Sequence, residues 1–145
     1  MASRNVETFR TAHEAFNRHD FEAVVSAMAE GVTYQDRALD VTFRGTTGFK
    51  EFMQGWVTAF PNAEISEPVY IDAGDTVIAQ FVGRGINDGP LGPLPATGKP
   101  VSFNFCEILR FNGNGQVVSG DAYYDRLSIL VQLGHAPAPQ KVTAA

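Results

Sequence analysis

The stretch that decides the fold is GTTGFKEFMQGWVTAFP, residues 45–61. Within it Phe49, Phe52, Met53, Trp56, Val57 and Phe60 recur at intervals of three and four, which places them on one stripe of an amphipathic helix. A threonine ahead of the stripe can cap its N-terminus, and Pro61 ends it. Beyond Pro61 the helical period gives way to β-rich segments at about 65–72, 75–86, 100–111 and 116–124, separated by Gly, Asn, Asp and Pro. Ahead of the helix, Val6, Phe9, His13 and Phe16 mark a first helix. After the polar stop NRHD, Phe21, Val24, Val25 and Met28 mark a second, with Asp20 as its N-cap. VTYQD and VTFRG between the second and third helices are β-rich.

Helices first and a mostly antiparallel sheet afterwards is an α+β order. It predicts three N-terminal helices packed against a strongly curved mixed, mostly antiparallel sheet that encloses a pocket. The 145 residues and 44% hydrophobic composition suit a single domain, expected over residues 1–134. LSILVQLG is expected to end in a helical turn, and residues 135–145, HAPAPQKVTAA, to form a flexible tail. No internal repeat is present.

Charge and composition narrow the partners. A net charge of -5 with no run of Lys or Arg gives no electrostatic footprint for nucleic acid or an anionic membrane, so neither is expected as a partner. No segment has the apolar length to span a bilayer, and the N-terminal stretch lacks a signal peptide's apolar run. The lone Cys106 excludes an internal disulfide and suits a reducing compartment, so a cytoplasmic protein is expected. His13, His19 and His135 lack metal-ligand spacing, and no Gly-rich phosphate loop follows a strand; no metal or cofactor is expected.

The candidate chemistry lies in FNFCEILRF, residues 103–111. Alternation puts Phe103, Phe105, Glu107, Leu109 and Phe111 on one strand face, so a carboxylate stands in an apolar row. Burying it uncompensated costs several kcal/mol, roughly. The two Asn-Gly dipeptides at residues 112–115 favour a tight hairpin. A four-residue loop pairs Phe111 with Gln116 and sets Glu107 beside Gly120, Phe105 beside Ala122 and Phe103 beside Tyr124, leaving space next to the carboxylate. A one-residue bulge would instead bring Asp121 to the face of Glu107. The turn chemistry leaves both registers open. On either, desolvation disfavours the charged carboxylate and fits it for proton exchange with a bound carbonyl compound. The alternative is a structural pairing of Glu107 with an arginine such as Arg44 or Arg84, or a reach to solvent at the cone mouth.

Several stretches together carry a family resemblance: AFNRHD, VTYQD, FRGTTGFKEFMQGWVTAFPN, GPLGPLPATGKPVSF, EILRF and YYDRLSILVQLG. Over residues 6–134 the chain resembles the SnoaL-like polyketide cyclase (ester cyclase) branch of the NTF2-like fold, a cone with a cavity. The resemblance implies a cofactor-independent acid/base catalyst, in which an aspartate on the last long strand and a neighbouring histidine enolise the substrate for aldol closure. Anchored on LVQLG, Ala122 stands at that aspartate's position and Glu107 at the histidine's, while Met53 stands at a pocket position that is polar in some cyclases.

The candidate catalytic residues are therefore Glu107 and Asp121, and the candidate ligand-binding residues are Phe16, Asp36, Met53, Trp56, Phe60, Phe103, Phe105, Ala122 and Tyr124. His13 reads as a core histidine bonded to a backbone carbonyl. Asp125 reads as an N-cap, and GPLGPLP as a turn-rich lip over the cavity. Three functions are consistent with these readings. One is an acid/base cyclase or isomerase acting on a small apolar, polyketide-like carbonyl compound; another is an accessory or oxygenation role; the third is a binding module without chemistry. The small, partly apolar outer face of Ser102, Asn104, Cys106 and Ile108 predicts a homodimer.

Overall fold

The computed structural model describes residues 3–140; the last five residues of the expected tail lie outside them. The elements are α1 (Arg4–Asn17), α2 (Phe21–Val25), β1 (Met28–Asp36), β2 (Val41–Arg44), α3 (Gly45–Ala59), β3 (Glu64–Ala73), β4 (Thr76–Ile86), β5 (Pro100–Phe111), β6 (Val117–Tyr124) and α4 (Arg126–Gln132). Six strands form one open sheet in the order β2-β1-β6-β5-β4-β3, in which only β1 and β6 run parallel. This is the expected α+β class, with β1 and β2 between α2 and α3 and the other four strands after α3.

Local chemistry explains most boundaries. Ser3 caps α1 by accepting from the Val6 N–H, Asp20 caps α2 through Ala23 N–H, and Asp125 caps α4 through Ser128 N–H. Two boundaries differ from expectation. The second helix stops at Val25, and Met28 opens β1 instead of extending the helical stripe. The third helix has no threonine cap, because β2 runs directly into it. Gly45, at φ 71°, makes the bend that a capping loop would otherwise make, and both threonines fall inside the first turn.

The β5–β6 hairpin also differs from the drawn register, by two residues. A three-residue loop is closed by Asn112 and Gln116, whose N–H···O distance is 2.9 Å, and Phe111 pairs with Val117. A bulge at Val118 then moves Arg110 onto Ser119, so that Glu107 pairs with Ala122 and Phe105 with Tyr124. Each step alone would reverse the strand face. Together they restore it, which keeps Gly120, Ala122 and Tyr124 on the side of Glu107 and Asp121 on the other.

The inner sheet face and α1–α3 enclose the main core, in which Phe9, Val32, Tyr34 and Val77 are almost wholly buried. A second apolar cluster joins Ala59, Phe60, Val101, Ile129 and Leu133 at the end of α3 and beneath α4. The Gly-Pro-rich loop packs its Leu91 into this second cluster. Fully buried Asn87 holds the loop, donating to Ala59 and Gly89 carbonyls and accepting from Thr97 N–H and hydroxyl. The loop is thus a brace for α3 and α4, and contributes no residue to the cavity wall.

Candidate active site

One row of paired residues crosses the inner sheet face: Tyr70 on β3, Ala79 on β4, Glu107 on β5, Ala122 on β6 and Asp36 on β1. The two alanines keep the row open on either side of the carboxylate. Into it α1 lowers His13, whose Nε2 lies 2.9 Å from Glu107 Oε1 and whose Nδ1 lies 2.8 Å from the Tyr70 hydroxyl. On the other side the Tyr34 hydroxyl donates to Glu107 Oε2. Glu107, His13 and Tyr34 are all buried, and each polar atom of the group has a partner. Glu107 is therefore paired with neither Arg44 nor Arg84; Arg84 instead donates to Glu67 at 2.8 Å. The space beside Gly120 is filled by Tyr34 and Leu109, since a Cβ there would lie within 3.0 Å of both side chains.

Aromatic packing fixes the histidine. Phe9 and Phe81 meet the His13 ring edge to face, with centroids 4.7 and 5.0 Å away. Arg10 lies over the Tyr70 ring at 4.8 Å. His13 is a core histidine as expected, but its partners are side chains rather than a backbone carbonyl. Sequence reading missed this pairing, although its signal was present: one histidine and one glutamate each interrupt an otherwise apolar stripe.

The group borders a cavity of about 80 Å³ between the helices and the sheet. His13 and Glu107 are the polar side chains of its inner end, beside Phe9, Phe81 and Leu109. Its mouth is marked by half-buried Phe16, Trp56 and Ile65 and by exposed Glu64 and Arg84. Of the sequence candidates, Phe16, Met53, Trp56, Phe60, Phe103, Phe105 and Glu107 line this cavity. Ala122, Tyr124, Asp36 and Asp121 do not. Ala122 sits beneath Glu107 in the sheet. Tyr124 stacks on Phe105 and donates its hydroxyl to Asp36 at 2.7 Å, while Asp36 also accepts from Ala38 and Leu39 N–H groups. Asp121 lies on the outer face, buried between Arg37 and Arg110 at 2.8 Å each.

Burial pushes the Tyr34 phenol well above its ordinary range, and neighbouring Glu107 adds to the shift. Tyr124 is also raised, first by burial and then by its bond to Asp36. Burial takes Tyr70 up to about 12, with Arg10 opposing the shift. Each phenol holds its proton more tightly folded than unfolded, so its contribution to stability is complete below the unfolded tyrosine value of about 10 and is lost as pH rises toward the folded values. Denaturant midpoints should therefore stay level with respect to these groups up to about pH 9 and fall above about pH 10. A midpoint unchanged up to about pH 12 would contradict the arrangement.

Among the described residues, no group of three or more His, Cys, Asp or Glu side chains is placed to hold a metal ion, and no helix is long and apolar enough to cross a membrane. A family model described as SnoaL-like polyketide cyclase matches residues 6–133. No curated protein matches the chain. Among solved structures, the chain is similar to a Jannaschia protein provisionally named a SnoaL-like polyketide cyclase, with TM-score 0.83, 20% identity and coverage of 92% of this chain and 94% of that one. It is also similar to AclR of Streptomyces galilaeus, provisionally named a hydroxylase, with TM-score 0.81, 22% identity and coverage of 94% and 85%. A third is TerC, co-crystallised with polyporic acid, with TM-score 0.74, 19% identity and coverage of 91% and 99%. At these identities the likeness is one of fold, and the fold is NTF2-like.

Proposed function

The chain belongs to the SnoaL-like polyketide cyclase family, and from that premise we propose that it takes a small apolar carbonyl compound into the cavity and moves a proton on it, in cyclisation or isomerisation, with Glu107 as the acid/base group. One observation carries the proposal: the carboxylate at the inner end of an apolar cavity is held on both oxygens, by His13 and by Tyr34. A carboxylate oriented on both sides and removed from bulk water is a preorganised proton acceptor. The arrangement also answers the missing aspartate. Where the resemblance implies a carboxylate on β6 and an imidazole on β5, this chain has Ala122 and Glu107, and α1 supplies the imidazole. Asp121 has no part in the proposal, because its two arginines hold it on the outer face. The test is turnover by the wild type across a panel of small polyketide-like ketones and esters, followed by the Glu107 substitution treated in the Discussion.

A second reading, an accessory or oxygenation role, takes its support from the likeness in fold to AclR. Dioxygen uptake with the same panel separates the two.

We further propose that the protein is a cytoplasmic homodimer formed through the outer sheet face. Val69, Ile71 and Tyr123 are exposed there, in pairing rows that also hold Ile78, Cys106 and Ile108. Sedimentation at micromolar concentration should give the mass of two chains. A monomer at all concentrations would remove this part of the reading.

A further inference from the structure

We propose that the inner end of the cavity is an acceptor-only site that takes its ligand through a hydroxyl group, so that the class it selects is a small planar phenol or enol rather than a plain ketone or ester. The inference rests on the reading of the cavity as the ligand site and specifies which carbonyl compounds suit it: those carrying, or enolised to, an O–H.

The argument is a count of protons. With neutral His13 and ionised Glu107, the Tyr70 hydroxyl donates to Nδ1, Nε2–H donates to Oε1, and the Tyr34 hydroxyl donates to Oε2. With imidazolium and carboxylate, Nδ1–H donates to the Tyr70 oxygen and the other two bonds are unchanged. With the carboxyl protonated on Oε1, that proton lies on the line to Nε2, and Nδ1–H again donates to Tyr70. In these three arrangements every proton between His13, Glu107 and Tyr34 stays inside the network; a proton on Oε2 would instead donate to the Tyr34 oxygen and displace the proton of Tyr34, a residue outside the cavity lining. None is left for the cavity, which meets only the remaining lone pairs of the carboxyl oxygens.

The rest of the inner wall supplies no donor, since Phe9, Phe81, Phe105 and Leu109 are apolar. Apart from His13, whose N–H is held by Glu107, the side-chain donors of the lining are the Trp56 indole N–H and Arg84, which is engaged by Glu67, both toward the mouth. A ketone or ester carbonyl at the inner end would face carboxyl lone pairs with no proton between them. A hydroxyl there donates to the carboxyl group, and its ring lies among the aromatic walls. Each carboxyl oxygen already holds one donor; a hydroxylated ligand adds another, and an analogue without the hydroxyl sets its own lone pairs against them, so the site favours the hydroxylated member.

Trp56 is the chain's single tryptophan and lines the cavity, so its fluorescence reports binding directly. Titration of the wild type with phenol, anisole and acetophenone should show phenol bound about tenfold or more tightly than the other two. In Glu107→Gln the carboxamide brings an N–H to the same place, and the preference for phenol over acetophenone should collapse. Anisole or acetophenone binding the wild type as tightly as phenol would overturn the inference while leaving the cavity as the ligand site. Fluorescence unmoved by all three compounds would overturn both. The wild-type panel decides without the variant, should the variant fold poorly.

Discussion

Glu107→Gln is expected to lower turnover by about a hundredfold or more while the chain still folds. Glutamine keeps the shape of glutamate and can accept from Tyr34 or His13, but it does not take up or release a proton at the working pH. If Glu107 moves the proton, the loss in kcat exceeds the roughly tenfold change in relative ligand affinity that Trp56 reports for the same variant. The control is Asp121→Asn on the same hairpin, one residue from Ala122. That carboxylate is buried on the opposite face between Arg37 and Arg110. Its loss should cost stability, about 1–3 kcal/mol, because one buried partner of a double ion pair becomes neutral. Turnover per folded molecule should be nearly unchanged. Activity lost in Asp121→Asn but kept in Glu107→Gln would place the chemistry on the wrong face of the sheet and end the proposal.

Ala122→Asp, which restores the acid implied by the family resemblance, should destabilise the protein by about 3 kcal/mol or more at neutral pH. Ala122 is wholly buried, pairs with Glu107 on β5 and aligns with Asp36 on β1. The introduced carboxylate would join two others in one row. Like charges at this spacing favour protonation, so the variant should regain stability as pH falls. Adding Glu107→Gln should recover about 1 kcal/mol or more, a coupling that a purely steric clash would not show. Ala122→Asn measures the steric part by itself. Urea denaturation of five chains, the wild type, Ala122→Asp, Glu107→Gln, their combination and Ala122→Asn, decides the matter. An Ala122→Asp variant as stable as the wild type at neutral pH would mean that Glu107 and Ala122 are not neighbours in a dry interior.

The fold was legible because its signals are periodic. The stripe from Phe49 to Phe60 and the alternation of Phe103 to Phe111 each specify one element and one buried face, and turn residues divide the strands. Boundaries failed where a single residue took over from a pattern. Gly45 turned β2 straight into α3 without a cap, and the five-residue α2 ended too early to include Met28. The hairpin register was misread twice, by one residue at the loop and one at the Val118 bulge, and the face of Glu107 survived because two one-residue offsets make an even shift on a period of two.

The site was less legible for a different reason. Helical spacing could place His13 on the buried stripe of α1, and strand spacing could place Glu107 on the inner face of β5. Neither spacing says that the two elements cross where the side chains meet. The contact spans 94 positions of sequence and depends on the alanine at 79, which leaves the row open between Tyr70 and Glu107. Tyr34 was hidden in the same way, because VTYQD reads as a strand with an inward aromatic and gives no hint that its hydroxyl ends on a carboxylate.

The central claim is that a ligand in the cavity meets the Glu107 carboxyl group, and difference infrared spectroscopy of the carboxyl region tests it most directly. The bands belonging to Glu107 are those lost in Glu107→Gln. On adding the compound that the wild type turns over, or phenol as its simplest stand-in, the account predicts that these bands shift together with the change in Trp56 fluorescence. Binding reported by Trp56 while the Glu107 bands stay in place would contradict it.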